Sequence, residues 1–423
     1  MFYGYFCVRM LAYYLILFGT AVLILYSYRT VHVLTHKLLP GPKWLARGLF
    51  LFVTVFIYAS TSYLAVNRED FRDNPFLRDY TIIGAITLSV TLLSICVFQL
   101  LADFVLLGRY IHYRTSRKEA SREMSRRTFM NAIALSVGGL VLGSVLWGTT
   151  RGKYGWRIME NRLSFDRLPK AFDGLKIVQI SDLHLGSFNN NFGPIEEAVE
   201  MINELGADYI FFTGDMVNAE PSEAEPWIDI LRKLQAKSGK YAILGNHDYG
   251  WARQAKLTEE EKTTNAAGVT EIFRKMDLKP LLNEHDILQR DGEKIALVGV
   301  ENWGFTEEGW FPTRGDYHKA VEGMEEVPFQ ILLSHDPTHF DHHILEKTKV
   351  DLTLSGHTHG GQFGISIPGL VEISAAKLFY KRFAGLYREA DQYLYVNRGM
   401  GYLIFPGRVG MPPEITLHLL TAG

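Results

Sequence analysis

The first 150 residues alternate between long apolar runs and short polar loops. Each run approaches the roughly 20 residues that an α-helix needs to cross the hydrocarbon core of a bilayer. Charged residues almost never interrupt these runs, which makes buried helices of a soluble protein the weaker interpretation. The runs cover residues 11–27, 48–66, 80–101 and 129–149. The pattern therefore predicts a membrane domain over residues 1–150 with about four transmembrane helices.

The pattern changes after residue 155 to short apolar runs bounded by Gly, Ser or Asp, which are typical of buried strands. Such runs cover residues 177–180, 209–212, 241–244, 330–333 and 351–354. Two of the segments between them, 195–205 and 227–235, instead have the spacing of helices. Strands interspersed with helices predict an α/β domain over residues 155–423.

Positive charge is concentrated in the loops of the first domain. Residues 1–150 hold 15 Lys and Arg against 7 Asp and Glu, whereas residues 151–423 hold 29 against 39. The loop between the third and fourth runs contains a group of basic residues: Arg109, Arg114, Arg117, Lys118, Arg122, Arg126 and Arg127. Because positive loops stay in the cytoplasm, we expect the N-terminus and the second domain on the outer side of the membrane.

The segment before the fourth run, residues 125–130, reads Ser-Arg-Arg-Thr-Phe-Met and resembles a twin-arginine export signal. Ordinary cytoplasmic arginines explain the same residues equally well. Both interpretations place the second domain outside the cytoplasm.

The composition of the second domain argues against two kinds of binding site. Its acidic balance, without a basic stripe, argues against nucleic acid as a partner. The two cysteines of the chain, Cys7 and Cys96, both lie in the first domain. The second domain therefore has neither a disulfide nor a thiolate metal site.

Metal-binding residue types follow all five short apolar runs. They are Asp182, His184, Asp215, Asn246, His247, Asp248, His335, His357 and His359. Because sheets mixed with helices place ligands at the carboxyl ends of their strands, we expect these side chains to converge. In an extended backbone, residues two apart point the same way, which would pair Asp182 with His184 and His357 with His359. Nitrogen and oxygen donors without sulfur suit Mn²⁺, Fe or Zn²⁺.

The motifs D-x-H, G-D, G-N-H-D, H-D and G-H-T-H, in this order, resemble those of the calcineurin-like metallophosphoesterases. The resemblance covers roughly residues 170–420 and implies two mixed sheets packed face to face with helices outside. It implies two divalent metal ions. One would be held by Asp182, His184, Asp215 and His359. The second would share Asp215 as a bridge and be held with Asn246, His335 and His357.

The resemblance also implies a mechanism. Two cations would lower the pKa of a water molecule and stabilise the phosphate oxygens. His247 would be the histidine near the substrate phosphate, oriented by Asp248, and would protonate the leaving group or hydrogen-bond to the phosphate.

The resemblance is not uniform across the superfamily. Protein phosphatases continue the Gly-Asp motif with an Asp-Arg pair, which residues 216–220 lack, and this argues against a phosphoprotein substrate. The motifs G-H-T-H-G-G-Q and N-R-G-x-G, at residues 356–362 and 397–401, are closer to membrane-bound or exported bacterial members. The expected location is therefore a bacterial inner membrane, with the catalytic domain extracytoplasmic.

Other polar residues have weaker interpretations. Arg398 and Arg408 are either phosphate contacts or surface arginines. His339, His342 and His343 are interpreted as exposed residues or as supports of the site. The segment 186–191 follows the first ligands and is expected to border the substrate pocket.

Residues 364–371 and 375–383 mix apolar residues with Lys377, Lys381, Arg382 and aromatic residues. Cations and aromatic rings side by side suit the headgroup region of a bilayer. One hypothesis is that this segment faces the bilayer and admits a lipid-borne phosphate. A core strand with its loop is the alternative, since the residues also alternate as in a strand.

Three functions fit these observations. The leading one is a membrane-anchored phosphodiesterase or phosphomonoesterase with a lipid, envelope or small-molecule substrate. The second is a pyrophosphate hydrolase of a nucleotide-activated lipid precursor of the UDP-diacylglucosamine type, which would need a cytosolic site. The third is a non-catalytic metal-binding membrane scaffold, which would not require His247.

Overall fold

The chain folds as two units, residues Met1–Thr149 and Thr150–Gly423. The computed structural model describes residues 2–36, 38–66, 75–116, 123–250, 257–304, 313–367 and 371–423. The first unit is helical and the second contains the sheets.

Four long helices occupy the described part of the first unit: α1 (Phe2–Thr35), α2 (Pro40–Val66), α3 (Pro75–Ser116) and α4 (Glu123–Thr150). Within them, Pro40–Ser60, Thr81–Gly108 and Phe129–Thr150 are long and apolar enough to cross a membrane. The predicted span 11–27 lies in α1, but the side chains before Phe18 are outside the described residues, so that span stays a prediction. The side chains of the twin-arginine-like segment up to Thr128 are also outside them.

A polar contact joins two helices of this unit. Asp103 in α3 lies 2.6 Å from the guanidinium of Arg29 in α1 and accepts a hydrogen bond of 2.8 Å from the Tyr26 hydroxyl. Nearby, Thr30 donates to the amide oxygen of Gln99 at 2.5 Å. Polar groups inside an apolar helix pair are satisfied by each other, because lipid offers them no partner.

The second unit contains fourteen strands among its described residues. In chain order they are β1 (Arg157–Phe165), β2 (Leu175–Ile180), β3 (Tyr209–Phe212), β4 (Gly239–Ala242), β5 (Lys279–Pro280), β6 (Glu284–Arg290), β7 (Glu293–Gly299), β8 (Gln330–Leu333), β9 (Leu352–Ser355), β10 (Gly364–Ile367), β11 (Val371–Ser374), β12 (Gly385–Glu389), β13 (Gln392–Val396) and β14 (Glu414–Ala422). The five predicted strands are present. The third of them, predicted at 241–244, ends two residues earlier.

Two six-stranded sheets, with orders β1-β14-β2-β3-β4-β5 and β12-β13-β9-β8-β7-β6, form the body of this unit, and β10 pairs with β11 alone. Both large sheets are mixed: β2, β3, β4 and β5 run parallel, as do β7, β8, β9 and β13, whereas β14 is antiparallel to β2. The parallel strands end at the same edge of each sheet, which places their following loops together.

Helices of the second unit are α5 (Gly193–Glu204), α6 (Ile228–Leu231), α7 (Glu259–Lys275) and α8 (Tyr317–Ala320). The helix predicted at 195–205 is present, whereas the one predicted at 227–235 contains only the four α-helical residues of α6. Thr258 and Glu261 form a capping box at the start of α7.

The core lies between the two large sheets. Ile177 and Phe211 of the first sheet pack in one cluster with Leu297, Ile331 and Leu354 of the second. A separate cluster packs α5 and α7 on the other face of the first sheet. The predicted class is confirmed: apolar helices precede a domain of two mixed sheets packed face to face with helices outside.

Candidate metal centre

Loops at the carboxyl ends of β2, β3, β4, β8 and β9 meet and bring together the side chains predicted to bind metal. These are Asp182, His184, Asp215, Asn246, His335, His357 and His359. All are buried except His357, which is partly exposed. Residues as distant as 175 positions apart in sequence are neighbours here.

The first group of possible ligands is Asp182, His184 and His359, whose nitrogen and oxygen atoms lie within 4.8 Å of one another. Nε2 of His184 is 3.0 Å from Nε2 of His359, which is 3.5 Å from Oδ1 of Asp182. Nδ1 of His184 is buried without a hydrogen-bond partner. Two imidazole nitrogens and a carboxylate that face one point form a site for a divalent cation.

The second group is Asp215, His335 and His357, again within 4.8 Å of one another. The amide oxygen of Asn246 completes it, at 3.2 Å from Nε2 of His335 and 2.8 Å from Nδ1 of His357. The two imidazole nitrogens are themselves 3.3 Å apart. This donor set also fits a divalent cation.

Asp215 stands between the two groups. Its Oδ2 atom lies 3.5 Å from Nε2 of His184 in the first group and 3.2 Å from Nε2 of His335 in the second. Its Oδ1 atom accepts a hydrogen bond of 2.8 Å from the backbone N–H of His247. The carboxylate is therefore fixed in a position from which one oxygen reaches both groups.

The backbone of the ligand loops is not extended, contrary to the geometry expected from the D-x-H and H-x-H spacing. Asp182, His184, Asp215, His357 and His359 all have positive φ, from 46° to 74°. Non-glycine residues adopt this left-handed conformation at a cost of about 1–3 kcal/mol each, and they concentrate at functional sites. Tight turns, rather than the alternation of a strand, place Asp182 and His184 in one group, whereas His357 and His359 lie in different groups.

Glycines allow the loops to approach each other, as expected. A Cβ atom on Gly245 would collide with the carboxylate of Asp215, and one on Gly356 would collide with Ser181 and Asp182. These two positions therefore accept no side chain without displacing a possible metal ligand.

Burial controls the protonation of the imidazoles. It lowers the pKa of His184 to about 3 and lowers the pKa of His357 and His359 as well. Neutral imidazole is the form that binds a metal. Burial also acts to lower the pKa of His335, but the adjacent Asp215 carboxylate outweighs it and raises that pKa to about 10. The Asp215 carboxylate thus favours positive charge beside His335, which fits a bound cation.

Outer contacts orient two of these rings. Nδ1 of His335 lies 2.7 Å from the carbonyl oxygen of Thr213, and Nε2 of His357 lies 2.8 Å from the hydroxyl of Tyr380. Such contacts fix the ring and the nitrogen that faces a metal. The role of Tyr380 was missed, because the sequence shows only an aromatic residue 23 positions after His357.

His247 is buried beside the first group, with its ring centroid 4.9 Å from that of His184. Its Nδ1 atom lies 2.7 Å from the carbonyl oxygen of Asn218. Two residues hold Asn218 in turn. Its side-chain amide donates to the hydroxyl of Ser187, in the segment expected to border the pocket, and its backbone N–H donates to the Glu223 carboxylate at 2.7 Å. Asn218 and Glu223 are thus supports that the motifs did not reveal.

The contacts shown for Asp248 are to backbone N–H groups, and its expected role in orienting the His247 ring stays a prediction. Each carboxylate oxygen of Asp248 accepts backbone hydrogen bonds, from Asp215, Met216 and Val217 on one loop and from Gly245 on the other, at 2.9 to 3.3 Å. Burial and the nearby Asp215 charge raise its pKa to about 7. Asp248 therefore positions the two loops.

Arg398 and Arg408 are not the surface residues that one interpretation expected. Both are buried. Arg398 pairs with Glu372 and Glu414, and Arg408 donates to the carbonyl oxygens of Gly401 and His359. They stabilise the last loops of the domain through buried hydrogen bonds.

The three later histidines gather around Trp303. His339 is buried and its Nδ1 lies 2.9 Å from the hydroxyl of Ser334, while the rings of His342 and His343 are 5.7 and 4.6 Å from that of Trp303. His342 and His343 are exposed. Their position agrees with the interpretation as exposed or supporting residues.

Comparison with known proteins agrees with this geometry. The model of the calcineurin-like phosphoesterase family matches residues 175–361, and that of a probable calcineurin-like phosphoesterase transmembrane domain matches residues 8–153. The metallophosphoesterase YkuE of Bacillus subtilis is 31% identical over 71% of this chain and 98% of its own length.

Two vertebrate relatives are each named transmembrane protein with metallophosphoesterase domain. The one from Danio rerio is 28% identical over 78% of this chain and 72% of its own length. The one from Bos taurus is 26% identical over 83% of this chain and 75% of its own length. With apolar helices before a metallophosphoesterase domain, the chain belongs to the calcineurin-like metallophosphoesterases, which hydrolyse phosphoric esters.

Proposed function

We propose that the chain is a membrane-anchored phosphoesterase that uses two divalent cations to hydrolyse a phosphodiester or phosphomonoester. The position of Asp215 carries the proposal, because its Oδ2 atom is shared between His184 of one ligand group and His335 of the other. A carboxylate shared by two nitrogen-rich groups fits a pair of cations. The nitrogen and oxygen donors favour Mn²⁺, Fe or Zn²⁺.

The bound cations would lower the pKa of a water molecule and offset charge on the phosphate oxygens. His247 supplies the proton chemistry. The carbonyl oxygen of Asn218 can only accept, so Nδ1 of His247 carries a proton, and Nε2 is the nitrogen proposed to act on the substrate. Nε2 can take a proton from solvent and deliver it to the leaving oxygen. The contacts of Asp248 keep the loop of Asp215 in register with the loop of Gly245.

A lipid or envelope phosphoester is the proposed substrate class. The membrane helices hold the catalytic unit at a bilayer, and the segment between the third and fourth apolar runs carries seven basic residues, which favours a cytoplasmic position for that segment. We therefore propose an inner-membrane enzyme whose catalytic unit is extracytoplasmic.

The activity test measures metal content and hydrolysis together. We expect the full chain, purified in detergent, to contain about two divalent ions per chain and to hydrolyse bis(p-nitrophenyl) phosphate. Removal of the ions with a chelator should abolish hydrolysis, and Mn²⁺, Fe²⁺ or Zn²⁺ should restore it. A chain that binds metal but hydrolyses neither this diester nor p-nitrophenyl phosphate would favour a non-catalytic scaffold.

The topology test uses reporter fusions. Alkaline phosphatase, which is active only outside the cytoplasm, should be active when fused after Gly423 and silent when fused after Lys118. The reverse pattern would place the metal centre in the cytoplasm. It would then favour hydrolysis of the pyrophosphate of a nucleotide-activated lipid.

A further inference from the structure

The catalytic unit exposes a group of large apolar side chains, which we call the apolar rim: Ile365, Ile367, Ile373, Leu378, Phe379 and Ile404. Leu378 and Phe379 are 82% and 79% exposed. Among the described residues of this unit, the other strongly exposed large apolar side chains are Leu386 and Ile158. Large exposed apolar side chains, when they form one patch, mark interaction surfaces in soluble domains.

The hairpin of β10 and β11 has an inverted arrangement of side chains. Ile365 and Ile373 are directly opposite each other in the pair and both point outward. The polar side chain of Ser374 points inward, where its hydroxyl donates to the carbonyl oxygens of Gly360 and Phe363 at 2.6 and 3.0 Å. A strand pair in water would turn its polar face to solvent. This pair turns its apolar face outward.

The rim is built onto the loops of the metal centre. The hairpin begins four residues after Gly360, and Phe379 precedes Tyr380, whose hydroxyl contacts His357. On the other side, the amide of Gln362 bonds with the backbone of residues 403 and 405, which flank the exposed Ile404. The exposed apolar side chains are therefore connected to the ligand loops by short, hydrogen-bonded segments.

Two lysines lie beside the rim. Lys377 and Lys381 are exposed and flank Leu378 and Phe379 in sequence, and Lys381 also lies 3.7 Å from Asp341. Arg382, which the sequence grouped with them, is buried and pairs with Asp341 and Glu389, so it is not available to a partner. Apolar side chains bordered by lysines fit the boundary between the acyl chains and anionic headgroups of a bilayer.

The membrane helices of the same chain also bring a bilayer close to the catalytic unit. The helix α4, which contains an apolar span, ends at Thr150, and β1 begins at Arg157. Six intervening residues can extend at most about 20 Å. The catalytic unit therefore stays within reach of lipid.

We propose that the apolar rim inserts into the headgroup boundary of the bilayer and that a lipid-borne phosphoester reaches the metal centre from this side. The first part is independent of catalysis, and the second rests on the proposed function. Insertion would remove the exposed apolar side chains from water and place them in contact with acyl chains.

Insertion of the rim is tested with a nitroxide spin label. The measurement is how often the label collides with oxygen and how often with a water-soluble nickel chelate. Leu378→Cys is labelled in the full chain, with Cys7→Ala and Cys96→Ala, in nanodiscs of phosphatidylcholine and phosphatidylglycerol. We expect the label to collide more with oxygen, which concentrates in acyl chains, than with the chelate. Glu200→Cys, on the exposed face of α5, is the matched control and should show the opposite preference.

Two other outcomes would overturn insertion. Equal chelate access at positions 378 and 200 would show that the rim faces water. Protection of position 378 from both collision partners would show that it is covered by a protein surface, such as a second copy of the chain.

The route of the substrate is tested with two substrates that share a leaving group. One is bis(p-nitrophenyl) phosphate, and the other is a diacylglycerol p-nitrophenyl phosphodiester in the same nanodiscs. For Leu378→Ser with Phe379→Ser, the ratio of lipid to soluble turnover should fall about tenfold. Ile158→Ser, which alters an exposed apolar residue outside the rim, should leave the ratio unchanged.

An unchanged ratio in the double variant would overturn the lipid route. If the unaltered chain hydrolyses neither substrate while position 378 contacts acyl chains, the proposed function fails and the membrane surface stands. The two proposals can therefore fail separately.

Discussion

The metal centre and the apolar rim are neighbouring regions that depart from the usual distribution of side chains in opposite directions. The centre buries histidines and carboxylates, whereas the rim exposes isoleucine, leucine and phenylalanine. Buried polar groups need partners that replace water, and the ligand loops supply most of them, although Nδ1 of His184 has no hydrogen-bond partner. The described residues of the catalytic unit leave the rim side chains exposed, so we propose a partner outside that unit. Both departures cost stability, which is why we propose a function for each region.

The largest expected effect is that of Asp215→Asn. A neutral amide has the shape of the carboxylate but holds two cations poorly, so metal and activity should be lost together. Hydrolysis should fall by at least about 10⁴-fold, since the cations contribute several kcal/mol. Metal analysis and turnover of bis(p-nitrophenyl) phosphate measure the effect. Asp229→Asn changes an aspartate that is 93% exposed and should alter neither quantity. Retained metal in Asp215→Asn would show that this carboxylate is not shared.

His247→Ala separates proton chemistry from metal binding. The ring is buried beside His184 but belongs to neither ligand group. The variant should keep its metal content and lose about 10²- to 10⁴-fold in kcat, the usual contribution of general acid–base catalysis. Loss of metal from this variant would mean that His247 is a ligand.

Tyr380→Phe probes the boundary between the two regions. The hydroxyl contacts Nε2 of His357, and the next residue toward the N-terminus belongs to the rim. Loss of such an outer contact should weaken metal affinity about tenfold, while the phenylalanine ring preserves packing. Titration of the metal-free chain with Zn²⁺ measures the Kd. Tyr393→Phe, which keeps the ring that packs on Phe165, is the control. Equal affinities for both variants would assign Tyr380 to packing alone.

The smallest expected effect is that of Phe379→Ser on stability. Because Phe379 is exposed, the free energy of unfolding should change by less than about 0.5 kcal/mol. Phe340→Ala, at a fully buried position, should cost about 3–5 kcal/mol. Chemical unfolding of both variants in detergent gives the comparison. A large loss of unfolding free energy in Phe379→Ser would show that this side chain stabilises the fold and is not simply exposed.

The elements of the fold were predictable because their signals are local. The strands Tyr209–Phe212 and Gln330–Leu333 coincide with apolar runs of the sequence, and three apolar helices coincide with three of the predicted spans. Hydrophobic periodicity depends only on residues close in sequence. The order of the metal-binding motifs at strand ends was enough to predict which side chains would meet.

The arrangement within the site was not predictable in the same way. The turns that give Asp182 and His357 positive φ, the support of His247 by Asn218 and the contact of Tyr380 with His357 depend on how separate loops pack. The burial of Arg398 likewise depends on Glu372 and Glu414. The sequence contains these residues but not their distances.

The sequence by itself therefore determined the two-part organisation, the strand-end ligands and the family resemblance. Only the tertiary structure decided which oxygen of Asp215 is shared, which group orients His247 and which apolar side chains stay exposed. The physical reason is how far apart in sequence the interacting residues are. Periodicity and motif order are properties of neighbouring residues, whereas burial, a hydrogen bond or a pKa shift arises between residues brought together from distant parts of the chain.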